Sequence, residues 1–94
     1  MREEVQDRFG NKIYMTDERW QHIISSHPQL KERRAEVLNT IRFGKRWQDA
    51  RLPEKFYYLK PFPFPGAYNA IKVVVRFSWK NNQPNNFVLT AYPK

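Results

Sequence analysis

Residues 69–92 read NAIKVVVRFSWKNNQPNNFVLTAY, and the period of that stretch decides the fold. In an extended chain successive side chains leave on opposite faces, so Ile71, Val73, Val75, Phe77 and Trp79 share one face and Lys72, Val74, Arg76 and Ser78 the other. The polar run 80–86 reads as a turn, after which Phe87, Leu89 and Ala91 alternate with Val88, Thr90 and Tyr92. Strands joined by so short a connection run antiparallel. Closing the hairpin with Trp79 opposite Phe87 sets Arg76 across from Thr90 and Val74 across from Tyr92, and a slip of two residues leaves every side chain on its face. The expectation is a sheet whose apolar face takes the core, while Lys72, Arg76, Thr90 and Tyr92 share the uncovered one.

Upstream, two further runs alternate, giving strands at about 46–51, 56–60, 69–79 and 87–92, with turn residues at Pro53 and Glu54 and a proline-rich loop at 61–66. That loop is either a stiff apolar flap over the core or a polyproline docking segment. Before Gly44 the period changes to helical. Thr16 offers an N-cap, Asp17 and Glu18 suit the first turn, and Trp20, Ile23, Ile24 and His27 recur at helical spacing, which predicts a helix over 17–26. Pro28 disfavours helical geometry at His27 and opens a second helix, with Leu30, Val37, Leu38 and Ile41 as its stripe and Gly44 as its stop. Val5 to Met15, around the turn Phe9, Gly10, Asn11, reads as a hairpin or edge strand. The predicted architecture is a single α+β domain over 1–94: an N-terminal β-hairpin or edge strand, then two helices packed on one face of a four-stranded antiparallel meander.

Composition narrows the partners. Of 94 residues, 17 are Lys or Arg and 9 are Asp or Glu, a net charge of +8. Every carboxylate lies at or before Glu54, and residues 55–94 carry Lys55, Lys60, Lys72, Arg76, Lys80 and Lys94 with no acid at all. Such a surface neutralises phosphates and lacks the carboxylate cluster of a magnesium site. Cysteine is absent and histidine occurs twice, which excludes disulfides, thiolate ligands and a multi-histidine cage. No run of about 18 apolar residues occurs, and Met1 is followed by Arg2, Glu3 and Glu4, so no membrane span, signal peptide or anchor is expected and a cytoplasmic location is.

On the even face, Arg76 would clamp phosphate oxygens, Lys72 would add charge, Thr90 would donate a hydrogen bond, and Tyr92 would stack a base or move a proton. Lys60 and Tyr57 are further substrate-binding candidates. His22 and His27 are the side chains suited to proton transfer near neutral pH, although His27, just before Pro28, also serves as a helix-junction residue.

A set of short motifs coincides with a known family: Ile13-x-Met15-Thr16-x-x-x-Trp20-x-His22-Ile23, His27-Pro28-x-Leu30, Val37-x-x-Thr40-Ile41 and Phe87-Val88-x-Thr90-Ala91-Tyr92. Over residues 5 to 92 the chain resembles the phage- and toxin-associated barnase/EndoU/colicin/RelE-like (BECR) nuclease domains. The resemblance implies metal-independent RNA cleavage without a cofactor, through a polar residue of the first helix, a basic residue on the sheet, and a hydroxyl or aromatic on the last strand. Those roles fall on His22 or His27, on Lys72 or Arg76, and on Thr90 and Tyr92. Many relatives carry an acid after the His-Pro pair, where this chain has Gln29. The implied partners are tRNA or ribosome-bound mRNA, and an acidic antitoxin or immunity protein. Two other readings use the same cationic face: a non-catalytic RNA- or ribosome-binding module, with Tyr57, Phe62, Phe64 and Tyr68 for stacking, and a basic module that docks an acidic protein.

Overall fold

The computed structural model describes residues 1–94. Strands β1 (Arg2–Gln6) and β2 (Lys12–Thr16) form a hairpin, followed by helix α1 (Asp17–Ser26), a 3-10 turn (Pro28–Leu30) and helix α2 (Arg34–Phe43). Strands β3 (Lys45–Gln48), β4 (Lys55–Pro61) and β5 (Ala70–Arg76) come next, then the two-residue strands β6 (Trp79–Lys80) and β7 (Gln83–Pro84), and last β8 (Asn86–Pro93). No helix is long and apolar enough to cross a membrane.

Helix α1 obeys its local signals, and α2 departs from them at both ends. The Thr16 hydroxyl accepts from the Arg19 amide at 3.0 Å, capping α1. Pro28 keeps His27 out of the helix, at φ −133° and ψ 77°, and opens a 3-10 turn, so the second helix begins at Arg34, later than Pro28 leads one to expect. Gly44 ends α2 for a reason other than a left-handed cap. Its φ is −74°, but a Cβ there would lie 2.3 Å from the Thr40 carbonyl oxygen and 2.8 Å from that of Leu59, so only glycine lets the chain turn against β4.

The α+β class with two helices holds; the four-stranded meander does not. The main sheet has six strands in the order β1-β2-β8-β5-β4-β3, because the hairpin joins it through a parallel β2 and β8 pair. Asn86 secures that join. Buried, it donates from Nδ2 to the Lys12 carbonyl at 3.1 Å and accepts the Ser78 amide at 3.3 Å. The expected long third strand stops at Arg76. Phe77 packs partly against the core, Trp79 is 73% exposed, and Asn81 and Asn82, both at positive φ, turn a small separate hairpin.

The register also differs from the sequence reading. Lys72 pairs with Tyr92 and Val74 with Thr90, then a bulge shifts the ladder so that Val75 pairs with Val88 and Arg76 with Phe87. Arg76 therefore faces Phe87, not Thr90. The bulge inverts the alternation of β8: Val88 and Ala91 both enter the core while Leu89 is half-buried. On the helix side Ile13, Met15, Ile71, Val73, Val75, Val88 and Ala91 pack against Trp20, Ile23, Leu30, Val37, Leu38 and Ile41. Phe62 and Phe64 of the proline-rich loop pack partly against this core, 4.8 Å apart, so the loop is an apolar flap. Arg34 of α2 ties the layers together through Glu3 at 2.9 Å and Asp17 at 3.1 Å.

One carboxylate lies inside. The side chain of Asp7, at the end of β1, is fully buried and accepts hydrogen bonds from the Tyr58 hydroxyl at 2.5 Å, the Asn11 side chain at 3.0 Å, and the Phe9 and Asn11 amides at 2.9 Å. Arg46 stands 3.6 Å away, its guanidinium 4.0 Å from the Phe9 ring and 4.9 Å from that of Phe56. Burial alone would raise the Asp7 carboxyl, but the bonds from Tyr58 and Asn11 outweigh it and hold it below its ordinary value. Burial first, then the bond to Asp7, pushes the Tyr58 phenol well above its own.

Asp7→Ala is expected to cost about 3 to 5 kcal/mol, since it strands Arg46 and the buried donors, and Tyr58→Phe about 1 to 3 kcal/mol, both measured by urea unfolding. The lowered carboxyl makes the Asp7 contribution complete above the unfolded-state value near 3.9 and lost as pH falls through the folded-state value. The stability gap between wild type and Asp7→Ala therefore narrows in acid.

Candidate functional site

Strand parity places the uncovered face. From β3 to β8 it carries Lys45 and Trp47, then Lys55, Tyr57 and Leu59, then Lys72, Val74 and Arg76, then Phe87, Thr90 and Tyr92. Tyr14 of β2 extends it beside Phe87, with ring centroids 5.9 Å apart. None of these side chains belongs to the hydrophobic core cluster. Lys72, Arg76, Thr90 and Tyr92 thus share one face, although Lys72 and Arg76 stand about 13 Å apart along β5, at 3.3 Å per residue.

Lys72 occupies the centre of the face. Its ammonium lies 4.4 Å from the Tyr57 ring centroid, 5.4 Å from that of Trp47 and 5.8 Å from that of Tyr92. Trp47 and Tyr57 are themselves neighbours at 5.4 Å. Three electron-rich faces hold one cation in place while leaving it half-exposed. Tyr57 is fixed from its far end, where its hydroxyl donates to Asp49. Asp49 also accepts the Arg51 and Leu52 amides at 2.8 and 2.9 Å, rigidifying the turn between β3 and β4. The hydrogen bond from Tyr57, with the two amides, lowers the Asp49 carboxyl to about 2, and the same bond raises the Tyr57 phenol.

The two histidines part company. His27 is half-buried, and its ring centroid lies 5.8 Å from that of Tyr92. Its backbone is clamped, the amide donating to Ile23 at 2.8 Å and the carbonyl accepting from Leu30 at 3.0 Å, so the imidazole is aimed over the end of β8. His22 is exposed on α1 in a shallow recess with Thr16, Glu18 and Arg19. No other predicted site residue lines that recess. Lys60 pairs with the buried Ile71, so it leaves on the helix side, whereas Tyr57 stays beside Lys72. His27, Lys72, Tyr57, Thr90 and Tyr92 form one neighbourhood, Arg76 lies farther along β5, and His22 and Lys60 stand apart.

Trp47 is the residue that the sequence reading left unassigned. Its signal is present in retrospect: it lies two positions from Lys45 on a strand that pairs with β4, opposite Tyr57. Nowhere do three His, Asp or Glu side chains converge. The five side chains that do gather offer a fixed positive charge, a hydroxyl, phenols and an imidazole, together with aromatic surface, groups chemically able to pair with an anion and to exchange protons.

Comparison of the chain with protein-family models, with curated proteins and with solved structures finds no match.

Replacing Asp49 by Ala is expected to return the Tyr57 phenol toward its ordinary value near 10, as followed by pH titration of the ring signals in nuclear magnetic resonance. An unchanged midpoint would show that Asp49 does not hold the ring.

Proposed function

We propose that the protein is a metal-independent endoribonuclease of BECR type, toxin-like or phage-associated, which cleaves RNA through attack of the 2′-hydroxyl. The contact that carries this reading joins α1 to the last strand: the His27 imidazole lies against Tyr92, which pairs directly with Lys72. One neighbourhood then holds a proton carrier, a phenol and a phosphate-binding cation on a chain of net charge +8.

The reaction needs little else, because RNA supplies its own nucleophile. As the 2′-oxygen bonds to phosphorus, its proton passes to one of His27 and Tyr92, and the departing 5′-oxygen takes a proton from the other, leaving a 2′,3′-cyclic phosphate and a 5′-hydroxyl. Lys72 stabilises the charge that builds on the phosphorane oxygens, and Thr90 donates a hydrogen bond to them. Arg76, displaced along β5, holds a neighbouring phosphate. The exposed recess of His22, which no member of this group lines, supports assigning it no part in the chemistry.

A second reading keeps the binding and removes the cleavage. The neighbouring rings of Trp47 and Tyr57, with Lys72 between β4 and β8, suit an RNA- or ribosome-binding module, because base-stacking rings supply affinity and no proton transfer. RNA is the partner in both cases, with an acidic inhibitor as a further candidate for the same basic face.

Labelled tRNA and mRNA incubated with the protein in EDTA are expected to yield fragments ending in cyclic phosphate. His27→Ala and Tyr92→Phe are expected to slow cleavage by about a hundredfold or more, Lys72→Ala and Arg76→Ala to weaken it, and His22→Ala to leave it near wild type. Binding without cleavage on every RNA would favour the second reading. Cleavage indifferent to both His27 and Tyr92 would remove this site.

A further inference from the structure

The same face carries a second aromatic pair, and its position relative to the first has a chemical meaning. Tyr14 and Phe87 lie 5.9 Å apart, with the Arg2 guanidinium 4.0 Å from the Tyr14 ring centroid. The Tyr14 hydroxyl donates to the Asn85 side chain at 3.2 Å, which holds the ring as Asp49 holds Tyr57. Each pair thus consists of two neighbouring rings, one tethered at its hydroxyl, with a cation over it. Beside the second pair a polar cavity of about 480 Å³ opens between the two hairpins, lined among others by Arg2, Lys12, Gln83 and Asn85, with Glu4 as its one carboxylate.

We infer that these two pairs are base-stacking platforms on either side of Val74, Arg76 and Thr90, with Lys72 at the first of them, and that the substrate class is unpaired RNA. The inference rests on the proposal that this face takes RNA, and it adds the strandedness and the residues that read it. From Tyr57 on β4 to Phe87 on β8 there are two strand spacings across the sheet and two residues along it, a separation of roughly 12 Å. Rings set in the floor of an open sheet meet a base only through its π-face. In a duplex those faces are stacked on one another, and double-stranded RNA offers side chains its phosphates, its 2′-hydroxyls and its groove edges instead. A single strand can splay two bases onto the two platforms, which draws the intervening backbone past Lys72 and across Thr90 and Arg76. Lys72 serves both parts, since the rings of the first platform hold its ammonium.

The test separates binding from cleavage by using a non-cleavable probe. A fluorescein-labelled 2′-O-methyl oligonucleotide is titrated with the full chain by anisotropy, as a single strand and annealed to its complement. Wild type is expected to bind the single strand at least about tenfold more tightly than the duplex. Trp47→Ala is expected to remove about tenfold of the single-strand affinity, Tyr14→Ala a similar amount, and neither to alter duplex binding; Trp47→Phe restores most of the loss, which an unfolded or merely discharged surface would not allow. Equal affinity for both probes, or single-strand affinity indifferent to Trp47 and Tyr14, overturns the platforms and leaves the cleavage assignment standing. Platform-dependent binding by a chain that cuts no RNA upholds the platforms and removes the nuclease. A chain that binds neither probe overturns both.

Discussion

The buried Asp7 carboxylate is the constraint on which the arrangement depends. A charge inside a protein is tolerated only when donors surround it, and Asp7 receives them from its own turn, through Phe9 and Asn11, and from β4 through Tyr58. β1 and β4 are far apart in the strand order. Their contact therefore requires the tip of the N-terminal hairpin to curl over the helix side, where Arg46 is held between Phe9 and Phe56. The hairpin closes the end of the core that the two short helices leave uncovered, and the opposite face of the sheet stays free.

That division of faces explains the character of the open one. With the helices and the hairpin tip on one side, the aliphatic residues of β5 and β8 are used there, and the alternate positions carry cations, hydroxyls and rings. The bulge between Val74 and Val75 is essential to the pattern. Without it, strict alternation would place Phe87 on the face of Ala91, inside the core; with it, Phe87, Thr90 and Tyr92 all emerge on the same side. Val74, buried at 5% exposure although it lies on this open face, marks how completely the long side chains around it cover the middle of the sheet.

What the sequence discloses follows from the range of each interaction. The cap at Thr16, the stop at Pro28 and the alternation of β5 are local, and α1, the strand faces and the shared surface of Lys72, Arg76, Thr90 and Tyr92 are legible from them. Non-local features leave no such trace. The parallel join of β2 to β8 connects segments more than seventy residues apart and depends on one asparagine, Asn86, whose role is visible only once Lys12 and Ser78 are beside it. The same holds for Asp7, which reads as a solvated turn residue until Tyr58 arrives. Gly44 shows a third case: glycine at a helix end ordinarily signals a left-handed turn, but here the demand is for space, set by the Leu59 carbonyl of a strand not yet formed when the helix ends.

The candidate site combines both kinds of information, and His27 shows how. On a continuous helix its side chain would lie with Trp20 and Ile24, against the core, because seven residues bring a helix back to nearly the same face. Pro28 prevents that continuation by pushing His27 out of helical geometry, and the two backbone hydrogen bonds on either side of it then fix the direction of its ring. The proline is local and readable; the destination of the ring, the end of β8 at Tyr92, is set by how α1 packs on the sheet. A residue that looks like a junction element from the sequence thus carries an imidazole from the helical layer to the end of the last strand. The irregular backbone that makes His27 a junction is also what brings its imidazole beside the Tyr92 ring.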